Sequence, residues 1–78
     1  MTKENLLKRI TVNPKVTVGK PTIRGLRITV EQILKALAGG VTADDLLEDF
    51  PELEKEDIQA VLLYAFELVN EEQVFAVS

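Results

Sequence analysis

The sequence predicts a mainly α-helical domain: three helices in helix-turn-helix-like order behind a short N-terminal β segment, with two chains intertwined as a homodimer. Three observations carry this reading. From Thr29 onward apolar residues recur at helical spacing, and before it they alternate as in strands. The third predicted helix is apolar on more than one side, which calls for a second chain. At 78 residues the chain is one domain's worth, and folding at this size hides only about 60% of the unfolded surface. The expected division is a basic β arm over 1–28, a three-helix bundle over 29–70 and a tail over 71–78.

Each element has a local cause. Asn5-Leu6-Leu7 can start a helical turn. Ile10-Thr11-Val12 and Val16-Thr17-Val18 alternate like strands around the Asn13-Pro14 turn signal, and Leu26-Arg27-Ile28 alternates as well. Strands this short must pack on the helices or pair with a second chain. Thr29 and Gln32 have capping-box spacing, and Val30, Ile33, Leu34, Leu37 and Ala38 form one stripe before Gly39-Gly40 ends the helix. Thr42 caps a short second helix, with Asp44 and Asp45 at its positive end. Val41 and Leu46 stand at hydrophobic-staple positions, and Pro51 closes the element. The third helix starts near Glu54 and runs to about Asn70, its stripe being Ile58, Val61, Leu62, Ala65 and Val69. Val74-Phe75-Ala76-Val77 reads as a last strand or a docking segment.

Ile33, Leu37, Leu46, Phe50, Ile58, Leu62 and Ala65 are expected to share one core. At about 100° per residue, Leu63 and Tyr64 fall on the far side of the third helix from Ile58 and Leu62. Leu63, Tyr64 and Phe66 are therefore the candidates for a dimer or partner interface.

Charge divides the chain. The net charge is −4, but residues 1–28 hold seven cations against one acid, and residues 29–78 hold twelve acids against Lys35 and Lys55. A basic arm on an acidic body can touch phosphates locally or satisfy the acids of a partner subunit. Histidine and cysteine are both absent, which removes disulfides, Cys/His zinc sites, thiolate nucleophiles and imidazole bases. Asp44, Asp45, Glu48 and Asp49 form an acidic cluster that could hold Mg²⁺, but solvated helix surface is its commoner meaning. No enzyme, resident metal or cofactor is expected. No apolar run reaches the roughly 20 residues of a membrane span, and Met1 to Arg9 lack a secretory signal, so a cytoplasmic location is expected.

The helical order places a reading helix at Glu54-Lys55-Glu56-Asp57-Ile58-Gln59. Its three acids oppose phosphates, leaving Lys55 and Gln59 as the side chains suited to DNA. The most distinctive stretch is Gly19-Lys20-Pro21-Thr22-Ile23-Arg24-Gly25-Leu26-Arg27-Ile28. It leads into a helix, a Gly-Gly break, an acidic helix ending in Phe50-Pro51-Glu52-Leu53, and then Glu56-Asp57-Ile58-Gln59-Ala60. That order, over roughly residues 9–66, resembles the small prokaryotic domain-of-unknown-function family 433. The resemblance implies homeodomain-like helices and a dimer. Some members of that family are VapB-type antitoxins paired with PIN-domain ribonucleases. Leu26 stands where the family often has Thr, and Glu54 where it often has a Ser or Thr cap.

Two functions follow as expectations. The first is an antitoxin-like regulator, dimeric, binding operator DNA or a PIN-type toxin. Lys20, Arg24 and Arg27 would supply the arm's contacts, through bidentate arginine chemistry in particular. The alternative is a non-enzymatic dimeric interaction module without a nucleic-acid role, its two charge zones satisfying each other. In that case the arginines brace the fold against acids of the helices.

Overall fold

The computed structural model describes residues 2–12, 15 and 19–72. In chain order the elements are α1 (Lys3–Leu7), β1 (Ile10–Val12), β2 (Pro21–Ile23), α2 (Val30–Ala38), α3 (Ala43–Asp49) and α4 (Lys55–Glu72). The helical body matches the expected order. The helical turn expected at Asn5-Leu6-Leu7 is present as α1 in front of it, started by the Thr2 hydroxyl accepting from the Asn5 amide at 3.2 Å. The expected Asn13-Pro14 turn, the strand over 16–18 and the apolar tail over 74–77 lie outside the described residues.

The arm differs from the sequence reading in its pairing. β1 runs antiparallel to β2 within one chain, with Ile10 opposite Ile23, Thr11 opposite Thr22 and Val12 opposite Pro21. Proline reads as punctuation in sequence, yet it is tolerated as the first residue of a strand, as here. Leu26-Arg27-Ile28 is not a strand but a bend into α2. Its alternation survives in burial alone, with Ile28 buried and Arg27 exposed. The stretch still folds back on β2: the Ile23 amide donates to the Ile28 carbonyl at 3.1 Å, and Thr29 bridges Thr22.

Capping fixes the starts of the body helices. Thr29 and Gln32 make a full capping box on α2, and Thr42 and Asp45 make another on α3. Each pairing satisfies two amides that a helix start otherwise leaves open. α4 lacks a hydroxyl cap at Glu54. There the Asp57 carboxylate reaches back and accepts from the Glu54 amide at 2.8 Å.

The core draws on every segment of the body and on the arm: Ile23, Ile28, Val30, Ile33, Leu46, Leu53, Ile58 and Val61 form one cluster. Leu37 and Phe50 pack against it half-buried. Leu62 does not belong to it, being 50% exposed. The buried side of α4 is instead Asp57, Ile58, Ala60 and Val61, continued by half-buried Tyr64. That stripe is rotated by roughly a quarter-turn from the apolar one, at about 100° per residue. The reason is the arm: β2 and its following turn cover the side of α4 that carries Asp57, and the side carrying Leu62 stays half-exposed.

Candidate functional site

Two surfaces of α4 hold the features that composition alone does not explain. The first is a buried charge. Asp57 is fully enclosed, a state an ionised carboxylate reaches only when paired and hydrogen-bonded. Arg24 grips it side-on, Nε donating to Oδ1 at 3.0 Å and to Oδ2 at 3.1 Å, with Nη2 on Oδ2 at 2.9 Å. Arg9 Nη1 donates to Oδ1 at 2.9 Å and to Glu54 Oε1 at 2.7 Å. Arg24 Nη2 also donates to the Glu52 carbonyl, tying in the α3–α4 turn.

The register of the arm brings these arginines together. Ile10 and Ile23 end the β1–β2 ladder, so their neighbours Arg9 and Arg24 stand side by side, the Arg24 amide donating to the Arg9 carbonyl at 2.7 Å. Arg24 and Gly25 are then the central residues of a tight turn in which the Leu26 amide donates to the Ile23 carbonyl at 2.8 Å. Both have positive φ, 47° and 72°, as a type I′ turn requires. Glycine accepts this region freely; an arginine there is held by its contacts.

Electrostatics follow from the geometry. Burial alone would push the Asp57 carboxyl up, but the Arg24 guanidinium, the Glu54 amide and Arg9 outweigh it and hold the group below its ordinary value. Hydrogen bonds to Glu54 and then Asp57 raise Arg9, and the bond to Asp57 raises Arg24.

Of the arm's expected binding residues, Arg24 is therefore occupied inside the molecule. Lys20 pairs with Glu31 at 2.9 Å, both exposed. Arg27 is exposed. Lys55 and Gln59 are exposed too, and with Asp44, Leu47 and Ile58 they line a shallow groove between α3 and α4. Asp45 completes the α3 capping box by accepting from the Thr42 amide, and among the described residues no three acidic side chains are grouped to hold a metal ion. The sequence reading missed Arg9, and it took Asp57 for one more acid at a helix start. The available signal was position: Asp57 is the third residue of α4, where a capping acid sits.

The second surface is apolar. Leu62, Phe66 and Val69 are 50%, 59% and 59% exposed. Their i, i+4, i+7 spacing sets them in one stripe opposite the core. The expected interface residues divide: Phe66 is in this stripe, Leu63 is half-buried at its flank, and Tyr64 packs on the chain's own core. Tyr64 and Leu68 also face an open groove of about 530 Å³ between α2 and α4, shared with Val30, Leu34 and Ala38.

Residues 10–65 match the family described as proteins of unknown function, DUF433, and the chain belongs to that family. It is similar to an uncharacterized protein, y4eO, of Sinorhizobium fredii (strain NBRC 101917 / NGR234), with 32% identity over 56 residues. The matched stretch is 72% of this chain and 25% of that protein, so the chain spans about a quarter of the length of the curated relative it matches. No solved structure matches the chain.

Proposed function

We propose that the chain is a cytoplasmic, antitoxin-like regulator without catalytic activity, working as a homodimer and acting by binding protein, with a PIN-type ribonuclease as its cognate partner. The observation that carries this reading is the stripe of Leu62, Phe66 and Val69, each of them at least half exposed to water. Isolated exposed apolar residues are ordinary on small proteins, but a helical stripe of three large ones marks an association surface. A stripe of this kind is self-complementary across a two-fold axis, which favours a second copy as its first occupant. Exposed Arg27 is the arm's cation best suited to a nuclease's carboxylates, since Arg24 is engaged by Asp57.

The test has two parts. Sedimentation of the purified chain at micromolar concentration should give a dimer. Mixing it with a PIN-type ribonuclease encoded next to it should suppress RNA cleavage, and Arg27→Gln should weaken that suppression by about tenfold or more. A monomer that leaves the nuclease fully active would overturn the proposal.

Operator binding is a second reading, favoured by Lys55 and Gln59 standing exposed on the first turns of the third body helix. Affinity for operator DNA should then fall steeply with salt, and Lys55→Gln should reduce the slope by about one. Salt-insensitive dimerisation without DNA binding would favour the plain interaction module.

A further inference from the structure

We infer that Asp57 is a latch that makes release of the N-terminal arm and opening of the first turn of α4 a single event. The inference is independent of the functional reading above. Donors from three residues in two separate segments converge on one carboxylate: Arg9 and Arg24 from the arm, and the Glu54 amide from the start of α4. Arg24 also donates to the Glu52 carbonyl, which ties the α3–α4 turn to the same group. Glu54 is held twice, its side chain by Arg9 and its amide by Asp57. Removing the arm strips Asp57 of every cationic partner. A buried carboxylate left without them turns toward water, and in turning it abandons the amide that starts α4. The reverse also holds. Unwinding the first turn of α4 carries Asp57 away from Arg24, whose left-handed backbone loses the contacts that maintain it. A force or partner acting on the arm is thus felt at exposed Lys55, on the opposite surface of the same turn.

Amide hydrogen exchange of the full chain, followed by NMR at fixed pH across a series of low denaturant concentrations, tests the latch. In the unaltered protein the amides of Ile23 and Arg24 in the arm, and of Glu54 and Asp57 at the start of α4, should share one opening equilibrium and one denaturant slope. The Leu46 amide, which donates to Thr42 in α3, should open separately. Arg9→Gln leaves the sequence of α4 unaltered and keeps most of the side-chain stem, while removing the guanidinium that reaches Asp57. It should lower protection at all four latch amides by about tenfold or more, since the guanidinium's hydrogen bonds to Asp57 and Glu54 are both lost, while Leu46 is unchanged. Loosening confined to Ile23 and Arg24 overturns the latch. So does a uniform loss that includes Leu46, which is global unfolding. If Arg9→Gln does not fold, the shared or unshared opening in the unaltered chain decides by itself.

Discussion

The first two turns of α4 enclose an aspartate, and the turns that follow expose leucine, phenylalanine and valine. Residue polarity would assign these the other way round. The difference lies in what the rest of the chain brings to each half. The first half meets α3, the arm and two arginines, so even a carboxylate can be enclosed. The second half meets the five-residue α1, where Lys3 pairs with Glu67, and shares grooves with β1 and α2 through Tyr64 and Leu68. Leu62, Phe66 and Val69 stay half-exposed or more. In a short chain, burial follows the supply of neighbours as much as hydrophobicity. A face short of neighbours but rich in apolar residues is the surface the proposed dimer would use.

The largest effect expected from breaking this contrast is at Asp57. Asp57→Ala should cost about 3 kcal/mol in denaturant unfolding, since it removes the shared acceptor of two arginines and a helix-start amide. A loss below roughly 1 kcal/mol would mean the buried half is not held by its charge.

Next comes the exposed half. Glutamate at both Leu62 and Phe66 should weaken dimerisation by about a hundredfold, as loss of a central interface contact does, with helix content by circular dichroism preserved. An unaltered sedimentation profile would move the association surface elsewhere.

Adjacent residues then sharpen the comparison at one point of the helix. Val61→Ala, at a fully enclosed position, should cost about 2 kcal/mol. Leu62→Ala should stay within about 0.5 kcal/mol when measured on the dissociated chain. Equal costs would erase the distinction between the faces.

Acid gives the smallest effect near neutrality. Asp57 titrates lower in the folded than in the unfolded chain, so its contribution is present above the unfolded value of about 3.9. It is lost as the pH falls through the folded value. Stability should be nearly flat from neutrality to about pH 5 and then decline, and Asp57→Asn should remove part of that decline. An identical acid limb in both proteins would show that Asp57 is not held ionised.

Much of the helical body was legible because its signals are local. Thr29 with Gln32, Thr42 with its acids, Gly39-Gly40 and Pro51 each act within a few residues of the boundary they set. β1 was legible for the same reason. Its partner was not, because Pro21 looks like an interruption and the register depends on contacts outside the strand. The phase of α4 was misread for a related reason. An apolar count places Leu62 inward and ignores Asp57 and Ala60, whereas the arm's arginines make a carboxylate acceptable there and a small residue admits close packing. The role of Arg24 hung on the same fact: nothing near it in sequence names Asp57 as its partner.

The capping pattern also bears on how the chain folds. α2 and α3 start from hydroxyl–amide pairs three residues apart, and such contacts close with little loss of chain entropy. The arginine–aspartate contacts join positions 33 and 48 residues apart. Contacts of such separation come late when local helices lead the way. Weakening them should therefore speed unfolding and leave the refolding rate nearly unchanged. The residues that fasten the finished molecule would then be spectators to most of its assembly, governing how long the native state lasts and not how quickly it is reached.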